Sequence, residues 1–364
     1  MKILVLSDLH IALTTPWARS GNYEDMTYLR HVLKSYKASG RIPDFDMCIL
    51  CGDIFNSPKL SQGDYPVFAE ILDILGVLDK PILAINGNHD PGGHHVCENL
   101  KGFHRLDVES FMGIAGHSYS QNIEEIKEWL KRTNAQITVT HQSCSLFMNL
   151  GNLQLPQLRG EDFHASLNFI GDTHVSHAVE VAGKYMCVSP GILCPMRSRA
   201  ELFDSDPHLT VVEMDYLGDG KWDVDNADLS FIQLPKRPAI LITPEFSERD
   251  LRKLDFQGCS SKCPVIAYLP TGLECSTDFT KYVHTRVIPF SDVEKELDVD
   301  IDYSVIVEGA KTVDTVLQTA DQLLADDTDK QEILALVKDL VESDQPADIA
   351  KHFLEDENEI TQTV

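Results

Sequence analysis

Short apolar runs that end in polar, metal-ligating side chains recur along the first half of the sequence. The clearest is Ile82 to Ile85, which leads into Gly87-Asn88-His89-Asp90. A short apolar run bounded by a turn signal is typical of a buried strand. The loop behind it offers an amide oxygen, an imidazole and a carboxylate, which can bind a metal ion or supply a proton to a leaving oxygen. Taken alone, it could equally be an ordinary polar loop.

Four other predicted strands end in the same way. The runs are Ile3 to Leu6, Met47 to Cys51, Ile137 to Thr140 and Leu167 to Ile170. The polar side chains that follow them are Asp8, His10, Asp53, His141, Asp172 and His174. Asp8 and His10 point to the same side if the extended backbone continues beyond the strand. Cys48 and Cys51 are three apart on one strand and face opposite sides, which argues against a shared metal or redox site.

Amphipathic helices are predicted between these strands, at Glu24 to Ser39, Val67 to Leu78 and Ile123 to Lys131. Strands that alternate with helices are typical of a parallel sheet covered by helices, an α/β fold. Sites in such sheets form at the carboxyl ends of the strands. Because several strands deliver polar side chains to that edge, the pattern predicts a single site.

The second half of the chain is richer in strands. Strands are expected at Ala178 to Val181, Tyr185 to Val188, Leu209 to Met214 and Leu229 to Leu234. We expect them to be antiparallel and to form a second sheet. Pro235-Lys236-Arg237-Pro238 marks a boundary. The predicted domains are therefore a large domain at 1–235, a small α/β cap at 236–307 and acidic C-terminal helices at 308–364. In the cap we expect strands at Ala239 to Ile242, Val265 to Leu269 and Val283 to Ile288, and a short helix at Glu248 to Leu254.

The composition limits the partners and the location. The formal net charge is −26, which argues against a surface that coats nucleic acid non-specifically. A nuclease stays compatible, because bound cations can offset local carboxylates. The nine cysteines have no framework spacing, and no secretion signal or long apolar run occurs. We therefore expect a cytoplasmic protein (host cytoplasm for a viral one) with reduced thiols and no membrane contact.

Together the polar clusters provide more ligands than one metal ion needs. They are Asp8, His10, Asp53, Asn88, His89, His141, Asp172 and His174. A shared carboxylate, for which Asp53 is the natural choice, can hold two cations about 3.5–4 Å apart. Carboxylate, amide and imidazole ligands without a thiolate favour Mn²⁺ or Fe²⁺, with Mg²⁺ and Zn²⁺ as alternatives. His89 would be free to protonate a leaving oxygen.

The order of these motifs resembles the calcineurin-like metallophosphoesterases. Asp-x-His, Gly-Asp, Gly-Asn-His-Asp, a lone His and Gly-x-x-His occur in that order over residues 8–174. The resemblance implies a four-layer α/β/β/α sandwich with two divalent metal ions. It implies a first ion held by Asp8, His10, Asp53 and His174, a second held by Asp53, Asn88, His141 and Asp172, and His89 as the catalytic histidine.

One position departs from the family pattern. The last motif is usually Gly-His-x-His, but this chain has Gly171-Asp172-Thr173-His174. A carboxylate at position 172 can still bind a metal ion, and its charge would favour Mn²⁺ or Mg²⁺ over Zn²⁺. The alternative is a weakened second metal site and low activity.

Within the superfamily, the chain resembles the SbcD-type nuclease subunits of DNA double-strand-break repair complexes. The similar segments are Gly52-Asp53-Ile54-Phe55 before Ser57-Pro58, Ser189-Pro190-Gly191, and Phe231 to Pro235 before Arg237-Pro238. The resemblance implies a Mn²⁺-dependent DNA exonuclease or endonuclease. It also implies an SbcC-like coiled-coil ATPase as a partner that docks on the C-terminal helices.

Several alternatives stay open at this point. Arg249, Arg252 and Lys253, in the less acidic segment 236–290, could contact the DNA backbone or could form a solvated face. The apolar faces of the predicted helices at 308–364 could pack within this chain instead of on a partner. A homodimer is also an open alternative. The enzyme could instead be a phosphodiesterase or phosphatase for a small molecule or a protein. A chiefly structural subunit, with catalysis weakened by Asp172, is the remaining hypothesis.

Overall fold

Two β-sheets packed face to face form the centre of the chain in this computed structural model. The structure describes residues 1–13, 22–90, 97–147, 157–194, 206–237, 239–242, 265–270 and 285–290. The helices are α1 (Asn22–Ala38), α2 (Asp64–Leu75) and α3 (Ile123–Arg132). The strands of the first half are β1 (Lys2–Leu6), β2 (Met47–Leu50), β3 (Ile82–Ala84), β4 (Phe103–Arg105), β5 (Ile114–His117), β6 (Ile137–His141) and β7 (Leu167–Gly171).

The later strands are two to six residues long. They are β8 (His177–Val181), β9 (Tyr185–Ser189), β10 (His208–Glu213), β11 (Tyr216–Gly218), β12 (Lys221–Trp222), β13 (Asp228–Gln233), β14 (Ala239–Leu241), β15 (Val265–Pro270) and β16 (Thr285–Phe290). The predicted strands and the three predicted helices of residues 1–235 are confirmed, with bounds shifted by up to three residues. β4, β5, β11 and β12 have no counterpart in the sequence prediction because none of these short segments contains more than two apolar residues.

The first sheet has the order β13-β10-β1-β2-β3-β4. β1 to β4 pair in parallel, and α1 and α2 supply the crossover connections between β1, β2 and β3. β10 is antiparallel to β1, and β13 is antiparallel to β10. The predicted β-α-β-α-β unit is therefore the core of this sheet, extended on one side by two strands from much later in the chain.

The second sheet differs from the sequence prediction. Its order is β5-β6-β7-β9-β8, and β5, β6, β7 and β9 are parallel; only β8 is antiparallel, to β9. The four later strands expected to be antiparallel do pair in that way, β8 with β9 and β10 with β13. They do not form a second sheet of their own, because β9 also pairs in parallel with β7 at the edge of a crossover-connected sheet. The expectation that β10 and β13 belong to the second sheet was wrong, since both pair in the first sheet.

Side chains alternate along the strands and so separate three hydrophobic layers. Leu4 and Leu6 of β1 join a core shared with α1 and α2, whereas Ile3 and Val5 join the core between the two sheets. α3 covers the other face of the second sheet through a third cluster. Each fully buried side chain of this kind contributes about 1.5–3 kcal/mol. The layer order is α/β/β/α, as the resemblance implied.

The two cysteines of the second strand region follow the same alternation. Cys48 lies in the helix-side core and Cys51 in the core between the sheets. The prediction that they face opposite sides is confirmed. Burial raises the pKa of both thiols, which keeps them protonated and unreactive.

Two smaller sheets are also described: β11 and β12 form an antiparallel pair, and β14, β15 and β16 form a parallel three-stranded sheet. Strands were predicted in each of these three places, at Ala239 to Ile242, Val265 to Leu269 and Val283 to Ile288. The helix predicted at 248–254 and the helices predicted at 308–364 lie outside the described residues. The domain boundaries at 235 and 307 stay predictions. Within the described parts of the chain, no helix has the length and apolar character required to cross a bilayer.

Candidate metal centre

The predicted site residues lie at the carboxyl ends of strands from both sheets. The ends of β1, β2, β3, β6 and β7 carry, in that order, Asp8 and His10, Asp53, Asn88 and His89, His141, and Asp172 and His174. Parallel pairing aligns these ends within each sheet, and the face-to-face packing of the sheets brings the two rows together. The structure therefore assembles all eight side chains in one place.

Left-handed backbone shapes the loops that carry the carboxylates. Asp8, His10, Asp53 and Asp172 have φ values of 52°, 43°, 50° and 76°. The backbone after β1 is therefore not extended, and that part of the prediction for Asp8 and His10 was wrong. Their backbone N–H groups donate to the carbonyl oxygens of Gly52 and Asp53, at 3.1 and 3.0 Å. These bonds offset the cost of left-handed backbone, about 1–2 kcal/mol per residue.

Two glycines allow the loops to approach each other closely. A Cβ on Gly87 would overlap the Asp53 side chain and lie 2.5 Å from the Asp53 backbone nitrogen. A Cβ on Gly171 would lie 2.5 Å from His141 Nδ1 and 2.7 Å from Ser7 Oγ. Gly87 is thus needed for close packing against Asp53, whereas the sequence had suggested only a turn.

Nitrogen and oxygen atoms in the site face each other at distances that suit a shared ion. His141 Nε2 lies 3.3 Å and His10 Nε2 lies 3.6 Å from Asp53 Oδ2. His174 Nε2 lies 3.7 Å and His10 Nε2 lies 3.8 Å from Asp8 Oδ1. Apart from the 3.3 Å separation, which lies at the long end of the N–H···O range, these separations exceed that range. Two ligands that bind one ion at about 2.0–2.2 Å lie about 3.0–3.6 Å apart, so the donor set fits divalent cations.

The ligating atoms form three overlapping sets whose members lie within 4.8 Å of one another. The sets are Asp8, His10 and His174; His10, Asp53 and His89; and Asp8, Asp53 and His141. Asp53 belongs to two sets, as a shared carboxylate would, and so does Asp8. Asn88 is adjacent, with its Oδ1 3.1 Å from His141 Nε2. The overlap accommodates two neighbouring ions better than one.

His141 is oriented by a carbonyl group behind it. Its Nδ1 lies 2.7 Å from the carbonyl oxygen of Cys51. A carbonyl only accepts, so Nδ1 carries the proton and Nε2 points at the carboxylates. Burial alone would lower the pKa of His141, but the charge and hydrogen bond of Asp53 outweigh it and raise that pKa well above its usual value. The site therefore attracts positive charge.

The pKa values of the two central carboxyl groups, Asp8 and Asp53, are shifted in opposite directions. Burial, with some repulsion from Asp53, raises the pKa of Asp8 to about 7. Burial also raises the pKa of Asp53, but attraction to His141 and His10 outweighs it and the net pKa is lowered. Asp8 and Asp53 are only 1% and 2% exposed. A bound cation would stabilise both as carboxylates.

His89 has a less buried position than the central ligands. Its backbone N–H donates to Asp53 Oδ1 at 2.9 Å, and its Nδ1 lies 3.3 Å from the carbonyl oxygen of Asn56. The carbonyl again assigns the proton to Nδ1. The ring contacts His10 edge-on, with centroids 5.1 Å apart. Its Nε2 is left for a metal ion, as one ligand set allows, or for proton transfer to a substrate.

Several residues that hold the site were not identified from the sequence. Asp90, offered by its motif as a third polar group, accepts backbone N–H bonds from Gly87, Ile54 and Phe55 at 2.8, 3.0 and 3.2 Å. It joins two ligand loops and is not a ligand. An acidic residue directly after Asn-His is a signal for this role, because its short side chain can reach the turn it closes.

A second support comes from the ends of β4 in the first sheet and β5 in the second sheet. Ser118 Oγ donates to Asp107 Oδ2 at 2.6 Å and accepts the backbone N–H of Asn86 at 3.0 Å. Tyr119 N–H donates to the Asn86 carbonyl oxygen at 2.9 Å. Arg105 Nε donates to Asp107 at 2.7 Å. This chain of bonds fixes the residue immediately before the Gly87-Asn88-His89 loop.

The basic residues of segment 236–290, which could contact DNA or form a solvated face, are divided between described and other parts of the chain. Arg249, Arg252 and Lys253 lie outside the described residues. Arg237 is buried, and its NH2 group lies 2.9 Å from Asp25 Oδ1. Lys236 Nζ lies 3.7 Å from Asp206 Oδ1. These two cations of the linker therefore neutralise carboxylates of this chain, which makes them poor candidates for DNA contacts.

Comparison with known families agrees with this geometry. The sequence model of the calcineurin-like phosphoesterase superfamily domain matches residues 1–212. The chain belongs to that superfamily. It is accordingly a metal-dependent phosphoester hydrolase by family, and the described site contains candidate groups for divalent ions.

Comparisons with individual proteins add little to the superfamily assignment. No curated protein sequence matches the chain. A solved structure, that of the protein TT1561 of Thermus thermophilus, is similar over 64% of this chain and 98% of its own, with 13% identity and a TM-score of 0.36. A likeness at that level carries no functional argument.

Proposed function

We propose that this phosphoesterase is a dinuclear, Mn²⁺-dependent DNA nuclease that hydrolyses phosphodiester bonds. The observation that carries the proposal is the pair of overlapping ligand sets that share Asp53, one of which includes His89 at its less buried side. Bound divalent cations supply charge neutralisation for the phosphate and activation of water. The SbcD-type segments of the sequence support DNA as the substrate. The subunit would act with an SbcC-like ATPase in the cytoplasm, docked through residues 308–364.

The residues around the site have two proposed roles, which are binding the metal ions and transferring a proton. Asp8, His10, Asp53 and His141 are buried, so they serve as a fixed cradle. His89 is half-buried and is held by its backbone bond to Asp53 and its ring contact with His10. With Nδ1 bonded to the Asn56 carbonyl oxygen, a protonated His89 presents Nε2–H outward. It can donate that proton to the leaving oxygen.

The test of His89 compares two substrates that need different amounts of acid catalysis. Wild type and His89→Ala would be assayed with Mn²⁺ on end-labelled double-stranded DNA and on bis(p-nitrophenyl) phosphate. We expect His89→Ala to lose about 10²–10⁴-fold in kcat on DNA, whose alkoxide leaving group needs a proton. The loss on the nitrophenyl ester should be much smaller, because that leaving group departs without one. His164→Ala, a change at an exposed histidine, is the control.

Equal losses on both substrates would show that His89 is a ligand or a structural residue. Hydrolysis of the nitrophenyl ester without any DNA cleavage would replace the nuclease with a small-molecule or protein phosphoesterase. Inactivity on both substrates, in a protein that still binds Mn²⁺, would favour a structural subunit.

The DNA contact has a test of its own. Replacing Arg249, Arg252 and Lys253 with glutamine should weaken DNA binding. It should also make the affinity depend less steeply on salt concentration, because each phosphate contact contributes to that dependence. The matched control is glutamine at Lys127, Lys131 and Arg132, cations of α3 that pair with glutamates of the same helix. Both triple variants change the net charge equally, so equal weakening would contradict a specific contact.

A further inference from the structure

Ser143 and Asp172 lie side by side just beyond two paired strands. β6 and β7 are parallel, with His141 opposite Gly171. Ser143 follows His141 by two residues, and Asp172 directly follows Gly171, so the strand register delivers both to the same edge. Ser143 Oγ donates a hydrogen bond to Asp172 Oδ2 at 2.5 Å.

The bond leaves the other carboxylate oxygen facing the site. Asp172 Oδ1 lies 4.0 Å from His141 Nε2, the nitrogen that also faces Asp53. The backbone N–H of Asp172 donates to both carboxylate oxygens of Asp8, at 3.2 and 3.3 Å. The residue is therefore fixed at two points, its backbone by Asp8 and its Oδ2 by Ser143.

The chemistry of the side chain explains why a donor is needed here. An ionised carboxylate only accepts hydrogen bonds. The Asp172 side chain is 23% exposed, so without a donor beside it the carboxylate could rotate toward water. The Ser143 hydroxyl supplies that donor and fixes which oxygen points at His141. A serine two residues after the lone histidine is thus the counterpart of the aspartate that departs from the family pattern.

We propose that Ser143 is a positioning residue that makes Asp172 a ligand of the second divalent cation. The inference rests on the two-metal part of the proposed function and not on DNA as the substrate. An oxygen ligand at this position favours hard cations, so the second site should prefer Mn²⁺ or Mg²⁺ to Zn²⁺.

The test measures metal binding directly. Metal-free protein would be titrated with Mn²⁺ alone, by calorimetry and by electron paramagnetic resonance. We expect wild type to bind two Mn²⁺ ions. Ser143→Ala should lower the affinity of the weaker of the two sites by about 10–100-fold, which is the usual effect of removing a hydrogen-bond partner of a metal ligand. Ser143→Thr keeps the hydroxyl and should bind like wild type. Ser145→Ala, a change at an exposed serine of the same loop, is the control.

A double-mutant cycle separates positioning from general structure. Asp172→His removes the carboxylate that Ser143 holds, so Ser143→Ala should cause no further loss of affinity in that background. Unchanged two-site binding by Ser143→Ala would overturn the inference. An equal loss at both sites, or a Ser143→Ala effect that persists with His at 172, would also overturn it.

The outcomes are distinguishable from those of the nuclease proposal. A wild-type protein that binds two Mn²⁺ ions but leaves DNA intact would contradict the nuclease and keep the role of Ser143. A wild-type protein that binds fewer than two ions would contradict the role of Ser143, even if DNA were cleaved.

Discussion

Replacing Asp90 with alanine should destabilise the protein far more than an ordinary change of one carboxylate. The Asp90 side chain is buried and accepts three backbone N–H bonds, from Gly87, Ile54 and Phe55. These bonds join the loop after β2 to the loop after β3. Alanine removes both acceptor oxygens and leaves the three N–H groups in a site with little access to water.

The size of the effect follows from those three donors. A buried donor left without a partner costs about 1–3 kcal/mol. Partial relaxation would let some of them find new acceptors, so we expect a total loss of about 3–6 kcal/mol in the free energy of unfolding. Asp90→Asn keeps one acceptor oxygen and should lose less than Asp90→Ala.

The assay is urea unfolding of the metal-free protein, followed by circular dichroism, which keeps metal binding out of the comparison. The control is Asp44→Ala, which removes a fully exposed carboxylate and should leave the urea midpoint unchanged. A loss below about 1 kcal/mol in Asp90→Ala would show that the three bonds are dispensable. The account of how the two ligand loops are joined would then be wrong.

Two further predictions concern carboxylates outside the ligand set. Burial raises the pKa of Asp107, but hydrogen bonds from Arg105 and Ser118 outweigh it and lower the net pKa. The ionised Asp107 side chain therefore stabilises the folded state above its unfolded-state pKa, and this contribution is lost as pH falls through the lower folded-state pKa. Asp107→Asn should cost about 1 kcal/mol at pH 7 and less at pH 3, compared by urea unfolding at the two pH values. A pH-independent difference would contradict this. Arg237→Ala should cost about 3–5 kcal/mol by leaving Asp25 half of a broken buried pair, whereas replacing Arg237 with Met and Asp25 with Leu together should cost less. A double variant that is less stable than Arg237→Ala would refute the ion-pair account.

Much of the candidate site could be predicted because its residues follow strands in a regular order. Apolar runs mark strands locally, and parallel strands share an edge, so Asp8, Asp53 and His141 could be expected near one another without knowledge of the fold. The reason given for Asp8 and His10 was nevertheless wrong. Left-handed backbone, set by bonds to Gly52 and Asp53, is invisible in a pattern of alternating side chains.

The supporting residues were harder to predict because their partners are distant in sequence. Asp90 bonds to residues 35 and 36 positions away, and Ser143 to one 29 positions away. Each is a common polar residue in a loop, where the default expectation is contact with water. Only the register of the strands and the approach of the two sheets reveal which donor meets which acceptor.

The sequence by itself determined most of the elements, their α/β alternation and the motif order that identified the superfamily, because these depend on local periodicity and spacing. The tertiary structure alone decided that β10 and β13 extend the first sheet and that β5, β6, β7 and β9 are parallel. It also decided that Ser143 holds Asp172. Strand pairing and side-chain contacts of this kind depend on hydrogen bonds between segments far apart in the chain. Local pattern therefore identifies the candidate ligands, and long-range packing determines how they are held.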